Sequence, residues 1–398
     1  MSETAWTGQS VVVPAIGGPS SVSVLRSLGR SGVHTIAVSE QPDPPGFRSR
    51  YCDEAVRVPS PADDLLGYRD ALLELARGGD VRTILPLREA DVYVLATWRE
   101  AFAEHVAPLW PDAETLRVAH DRVLLDEAAR AAGVPAPETL PLDAVETWDR
   151  ERFVKARYAI LADAYLDDLP PGESRVESAT RHLLPGEEPD VDAIAAEMGH
   201  VPIAQRYLPG GEYALWALYD EGEPVATCQK RQLRAYKYAG GTSVTRETVF
   251  VPEIERLGRA LLDHLDWHGL ASVQFIGDER TGEFSLLEIN PRAWLSLPCA
   301  VQAGADFPAY FWRVAGGEWD SVDPGYETGV RTHLLRGNLV YLHSVLRDDF
   351  PLAERPAFHR ALRDVGTSIA ANPNFDYLSR DDPAPFVRDA LNTVGGLL

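Results

Sequence analysis

Lysine is almost missing from this chain. Of 38 basic residues only three are lysine, Lys155, Lys230 and Lys237, against 35 arginines, and 60 acidic residues leave a net charge of −22. That field opposes nonspecific binding to nucleic acid or to an anionic membrane, so the expected partners are small molecules or proteins. An acidic, lysine-poor composition fits adaptation to high salt, where carboxylates hold the hydration layer; a GC-rich genome explains only the arginines. Cysteine is equally scarce. Cys52, Cys228 and Cys299 are far apart and form no Cys-x-x-Cys pair, so neither a disulfide framework nor a zinc knuckle is indicated. Long apolar runs are absent as well: the first ten residues carry no basic cluster, and no stretch approaches the length that crosses a bilayer. A cytoplasmic protein is expected.

What is present is an ordinary globular balance, 45% apolar and 25% charged over 398 residues, enough for two or three packed units. The opening segment alternates in the α/β manner. Val11 to Ile16, His34 to Val38 and Arg82 to Leu87 read as buried strands, with helical spacing at Val22 to Gly29 and Leu65 to Arg77. This predicts a small doubly wound parallel sheet. The turn Ile16-Gly17-Gly18-Pro19 lacks Gly-x-Gly-x-x-Gly and reads as structural rather than dinucleotide-binding. His120-Asp121-Arg122 opens an amphipathic helix running to Ala132, stopped by Gly133 and two prolines. Short strands follow near Arg152 to Ala156, Val201 to Leu208, Tyr213 to Tyr219, Val225 to Lys230, Ala271 to Ile276 and Ser285 to Ile289. Helices are predicted at Val191 to Met198 and Pro252 to Leu265. Pro170-Pro171-Gly172 reads as a loop, and residues 321–398 have no clear assignment.

The densest chemistry lies in the last two strands, Ala271 to Ile276 and Phe284 to Arg292, which the turn-rich Gly277 to Gly282 joins into a hairpin. Strand alternation puts Glu288 and Asn290 on one face, opposite Leu287 and Ile289. A carboxylate and an amide oxygen side by side suit Mg²⁺ that keeps several waters and meets substrate phosphates, and Gln274 on the adjoining strand offers a third oxygen. Pro291 ends the strand, and Arg292 beyond it is placed to meet an anion. Taken alone, a Glu-x-Asn pair at a strand end is usually just a solvated face. His264 and His268, spaced i,i+4, lack a third ligand and read as structural. No P-loop and no Gly-x-Ser-x-Gly occurs.

The whole string Leu286-Leu287-Glu288-Ile289-Asn290-Pro291-Arg292 resembles the strand that closes the ATP-binding domain in the ATP-grasp superfamily, specifically its carboxylate–amine ligase branch. The resemblance extends by order and spacing over about residues 11 to 315. It implies that Glu288, Asn290 and Gln274 are metal ligands and that Arg292 stabilises the phosphoryl group or the tetrahedral intermediate; Gln274 stands where many members carry an acid. It implies an interlobe hinge at Gln205 to Glu212, with Gln205 and the Leu208 main chain at adenine and Glu212 on ribose. It implies phosphate contacts for Arg122, at a place usually held by lysine, for Lys155, and for the pair Lys230 and Arg231, which also meets the acyl substrate. Tyr238 to Ser243 reads either as a glycine-rich loop closing over substrate or as a flexible connector. The family's glycine-rich phosphate flap after Lys155 has no counterpart, since Arg157 to Leu166 contains no glycine.

The architecture so implied is α/β: an N-terminal doubly wound pre-ATP-grasp domain (1–113), a two-lobed α+β ATP-grasp domain (114–318, smaller lobe about 138–208) and a small C-terminal extension (319–398). The activity implied is formation of an amide from a small-molecule carboxylate and an amine through an acyl phosphate, with ATP and Mg²⁺, for which Mn²⁺ can substitute. A homodimer is compatible with this reading. The rivals are a non-amine acceptor, carboxylation through bicarbonate without a biotin-carrier segment, and a nucleotide-binding regulatory or scaffold protein on a degenerate fold.

Overall fold

A computed structural model describes residues 7–170, 172–176, 179–278, 281–350 and 353–395. Pro171 of the predicted loop and Glu279 and Arg280 of the hairpin connection lie outside them.

Strand β1 (Ser10–Pro14) is buried at every position, so its run of valines needs no polar alternation. Helix α1 (Pro19–Arg30) returns the chain to β2 (His34–Ser39); a short edge strand β3 (Glu54–Arg57), helix α2 (Leu65–Arg77), β4 (Val81–Ile84), α3 (Glu89–Thr97) and α4 (Arg99–Ala103) follow. The sheet is parallel in the order β3-β2-β1-β4. Val11 and Val13 pack towards α1, while Val12 packs with Leu72 of α2 and Val92 of α3, so helices cover both faces. Each fully buried valine or leucine contributes about 1.5–3 kcal/mol. The predicted doubly wound sheet is therefore present. Strand β3 escaped prediction because it is short, charged and largely exposed.

Helices α5 (Ala113–His120) and α6 (Arg122–Ala131) meet at Asp121, which caps α6 by accepting the Val123 N–H at 3.0 Å. A small lobe follows: β5 (Thr139–Pro141), β6 (Arg152–Lys155), the two-residue strands β7 (Leu161–Ala162) and β8 (Ser174–Arg175), β9 (Thr180–Leu183), α7 (Val191–Met198) and β10 (Ile203–Arg206). Its antiparallel sheet runs β5-β10-β6-β9. Helix α7 packs Ile194 and Met198 against Val154 and Ala204, which leaves Phe153, Lys155 and Gln205 on the opposite face.

The large sheet contains β11 (Gly211–Asp220), β12 (Glu223–Lys237), β13 (Gly240–Val249), then, after α8 (Pro252–His264), β14 (Gly269–Asp278) and β15 (Glu283–Asn290). Helices α9 (Leu297–Gln302) and α10 (Phe307–Ala315) lead to β16 (Arg331–His333), then α11 (Leu335–Arg347), α12 (Phe358–Ala371) and α13 (Ala384–Gly395). The sheet order is β15-β14-β11-β12-β13-β16. One face packs Leu215, Val273 and Phe275 on α8, and the other packs Trp216 and Cys228 towards α10 and the N-terminal sheet.

The sequence expectation of a loop at Tyr238 to Ser243 needs correction. Strand β12 continues to Lys237 and pairs it with Gly240, so Tyr238 and Ala239 form a two-residue hairpin turn. Gly240 and Gly241 have φ of 125° and 103°, which a side chain would strain. Tyr238 is tied down: its N–H donates to Ser344 Oγ at 3.2 Å, and its hydroxyl accepts the Phe350 N–H at 2.8 Å.

The described residues between 331 and 382 bind the N-terminal sheet to the large one. Strand β16 extends the large sheet, and Arg246 of β13 forms a buried ion pair with Asp376. Arg26 of α1 pairs with Asp382 at 2.9 Å and donates to Tyr377 O at 2.8 Å. Gly17 O accepts from Tyr377 Oη at 3.0 Å and Arg336 Nη2 at 3.1 Å, so the Gly17-Gly18 turn is a docking point for the C-terminal segment. Among the described residues no helix is long and apolar enough to cross a membrane.

Candidate functional site

Cross-strand registration builds the site. Lys230 opposes Ala214, Ala214 opposes Gln274, and Gln274 opposes Glu288, so Lys230, Gln274 and Glu288 stand in one row across four strands. Asn290, Ser272, Trp216 and Cys228 make the next row. A β-bulge lies between Gln274 and Phe275, leaving Leu287 without a registered partner. The bulge resets the alternation: Leu286 joins Ile289 in the packed core, and Glu288 and Asn290 turn to the cleft face. Simple alternation would have placed Leu286 beside Glu288.

Glu288 Oε1 accepts from Asn290 Nδ2 at 3.2 Å, and Asn290 Oδ1 accepts from Arg292 Nη2 at 3.0 Å. Across the cleft, Arg122 at the start of α6 donates from Nη2 to Glu288 Oε2 at 3.2 Å and from Nη1 to Ala156 O at 2.9 Å. Lys155 comes from the small lobe. Burial pushes its ammonium down to about 8, and repulsion from Arg122 adds to this against the attraction of Glu288. Burial would raise the Glu288 carboxyl, but Arg122, Lys155 and the Asn290 amide outweigh it and hold the group below its ordinary value.

Arg292 is fixed from both sides. Its Nε donates to Glu89 Oε1 at 2.7 Å, and the chain beyond it is held by Ala293 N–H donating to Pro86 O at 3.0 Å and by Trp294 stacked on Trp216 at 4.9 Å. Glu89 is the first residue of α3, beyond the carboxyl end of β4. It also meets His120 Nε2 at 3.0 Å. Burial opposes its ionisation, yet Arg292 and His120 pull it down to about 2. Neither Glu89 nor His120 was signalled by the sequence.

The basic pair Lys230 and Arg231 is split. Neighbours on a strand face opposite ways, so Lys230 turns to the site while Arg231 stands beside Tyr213 on the other face, bonded to Glu247 at 2.8 Å. The expectation that both meet substrate is corrected by this alternation. Burial lowers the Lys230 ammonium to about 8, with Arg246 adding to the fall and Glu212 resisting it; burial likewise raises the Glu212 carboxyl.

At the hinge, Gln205 is buried and donates from Nε2 to Thr139 Oγ1 at 3.0 Å, on the same face as Phe153 and Lys155. Arg206 is exposed, and Leu208 is half-buried at the turn. Gly210 permits a close approach, since a Cβ there would lie 2.5 Å from Gly277 O. His268 bonds Pro108 O at 2.9 Å, as its structural reading expects.

The donor set fits a divalent cation carried on phosphates: one carboxylate and two amide oxygens, all hard, on adjacent rows of one face. No cage of three or more His, Cys, Asp or Glu occurs among the described residues. It also fits a phosphate chain, because Arg122 Nε is a buried donor with no hydrogen-bond partner there.

This combination of a parallel N-terminal sheet, a small antiparallel lobe and a large antiparallel sheet carrying Glu288 and Asn290 at its edge is the ATP-grasp fold. Residues 200–335 match the family model described as ATP-grasp in the biosynthetic pathway with Ter operon. The biotin carboxylase domain of Hydrogenobacter thermophilus 2-oxoglutarate carboxylase, solved with MgADP, ADP and bicarbonate, is similar at a TM-score of 0.59 and 16% identity, over 81% of this chain and 73% of that one. N5-carboxyaminoimidazole synthetase from Staphylococcus aureus aligns at 0.59 and 14% over 81% of each chain. L-amino acid ligase from Bacillus licheniformis aligns at 0.58 and 12% over 81% and 78%. No curated protein matches the sequence.

Proposed function

We propose that this protein is an ATP-dependent ligase that activates a carboxylate as an acyl phosphate and passes the acyl group to an amine. The observation that supports this best is the convergence of Glu288, Asn290 and Arg292 with Arg122 and Lys155 where three structural units meet, with a buried Arg122 donor left for an anion. Arg122 and Lys155 bind the triphosphate, and Gln205, the Leu208 main chain and Glu212 line the nucleoside end. Glu288, Asn290 and Gln274 hold Mg²⁺, which when bound offsets phosphate charge.

In the first step a substrate carboxylate oxygen attacks the γ-phosphorus and the bond to ADP breaks, with Arg292 facing the charge that develops. In the second the amine nitrogen attacks the acyl carbon, the C–O bond to phosphate breaks, and the amine proton passes to solvent. Lys230 serves the acyl substrate; Arg231 has no part. The division at residues 113 and 318 belongs to the same proposal, with residues 319–398 tied to the catalytic sheet through β16.

Purified protein with MgATP should release ADP and phosphate only when an acceptable acid and amine are both supplied. Bicarbonate belongs in the acid panel, since the Hydrogenobacter structure holds it. Release of AMP, or ATP binding without turnover across the panel, would overturn the reading; the latter outcome favours a regulatory protein.

A further inference from the structure

The segment after Lys155, where a mobile glycine flap is absent, is docked on the α5–α6 junction and on the N-terminal domain. Arg157 makes a two-pronged ion pair with Asp121 at 2.7 and 2.9 Å, Tyr93 Oη donates to Asp163 at 2.9 Å, and Ser174 Oγ donates to Pro61 O at 2.9 Å. Ile160 and Ala162 enter the same core as Val12 and Tyr68. Tyr165 lies in this segment, with its ring stacked on Tyr158 at 5.5 Å.

From Tyr165 a continuous chain of hydrogen bonds reaches the reacting end of the site. Tyr165 Oη bonds His120 Nδ1 at 3.0 Å, His120 Nε2 bonds Glu89 Oε2 at 3.0 Å, and Glu89 Oε1 accepts Arg292 Nε at 2.7 Å. His120 is wholly buried and Glu89 is 10% exposed, so water does not compete for these bonds. An ionised carboxylate only accepts, so His120 donates from Nε2, and in the neutral ring its Nδ1 accepts the Tyr165 proton. Each member thus has one role, and each bond orients the next.

We propose that Tyr165, His120 and Glu89 are positioning residues for Arg292, so that docking of residues 156–170 and orientation of the guanidinium form one coupled unit. The docked segment thereby acts on the phosphoryl end through three side chains rather than by covering it. This rests on the reading that Arg292 faces the transferring phosphoryl group. A relay of this kind predicts non-additivity, because breaking any bond releases the same guanidinium.

The test uses full-length wild type, Glu89→Gln, Tyr165→Phe and the double variant. Turnover is followed by ADP release, and the Arg292 Nε–H resonance, assigned with Arg292→Lys, is followed by NMR. Glu89→Gln should lower kcat about 10–100-fold with the KM for ATP within about twofold, the range for loss of an orienting partner. Tyr165→Phe, which keeps the stacked ring, should lower kcat less and should shift the Arg292 Nε–H signal. The double variant should be no worse than Glu89→Gln alone. Additive losses, a Tyr165→Phe spectrum with Arg292 unmoved, or a rise in KM without a fall in kcat would each overturn the relay. If wild type has no ligase turnover, the proposed function fails, and the Arg292 resonance still decides the coupling.

Discussion

Arg122 Nη2 lies 3.2 Å from Glu288 Oε2, joining the first turn of α6 to the edge strand of the large sheet, while Arg122 Nη1 holds the end of β6 through Ala156 O. One guanidinium therefore spans the strand of Glu288 and the small lobe. Arg122→Ala should weaken MgATP binding by about 10–100-fold, since a charged hydrogen bond is worth about 1.5–3 kcal/mol. Arg122→Lys should recover part of this, because the point charge returns without the second prong. Calorimetric titration with a non-hydrolysed ATP analogue measures both; an Arg122→Ala affinity equal to wild type refutes the role.

Lys230 and Arg231 give a contrast between adjacent residues. Lys230→Met should lower kcat for the full reaction at least about tenfold, as removal of a positioned charge does in a water-poor site. Arg231→Ala should leave kcat within about twofold and cost no more than about 1 kcal/mol, because its partly exposed pair with Glu247 is shared with Arg331. Equal losses in the two variants would mean that the faces are misassigned.

Stability should depend on pH through Lys230. Its ammonium titrates near 8 in the folded protein and near 10.5 in the ordinary case, so between these values the unfolded chain binds more protons. Stability therefore rises with pH through that window, and the penalty of burying the charge is fully present below 8. Compared with Lys230→Met, wild type should gain in unfolding midpoint from pH 8 to 10.5. A wild-type midpoint that stays constant or falls relative to that of Lys230→Met over this window contradicts the burial.

Asp376→Ala should leave the Arg246 guanidinium, 1% exposed, without its partner. Breaking one side of such a pair costs about 3–5 kcal/mol. Chemical denaturation should show the loss, and Asp376→Asn should lose less. A fall below about 1 kcal/mol would mean that the C-terminal segment is not braced there.

Much of the site was legible because its parts are contiguous. Glu288, Asn290, Pro291 and Arg292 lie in one strand and its end, and Gln274 lies on the hairpin partner, so strand periodicity places the first two on one face, whereas Lys155 was singled out by the family resemblance. Glu89 and His120 were not legible. Glu89 meets Arg292 across 203 residues of chain, and a single acid opening a helix carries no sign of which domain it will face. The opposed faces of Lys230 and Arg231 follow from strand period and were obscured by reading two cations as a pair. Strand β13 was hidden by the Gly240-Gly241 start, which reads as a loop, although these glycines supply the φ that its hairpin needs. Helices α11 to α13 expose Leu339, Leu362 and Leu391, which blurs the apolar stripe that would have announced them.

Glu288→Ala should reduce turnover by at least about 100-fold, because it removes the only carboxylate in the donor row and the anchor of Arg122. Its side chain is 31% exposed, so the unfolding midpoint should change little. ADP release and a thermal melt on the same sample separate the two effects. Full activity in the variant would remove Glu288 from the site.

The acyl phosphate is tested most directly by isotope transfer, using a carboxylate substrate labelled with ¹⁸O at both oxygens. The account predicts one ¹⁸O in the released phosphate for each amide formed, with ADP in equal amount. Label in AMP, or unlabelled phosphate alongside labelled amide, would contradict it.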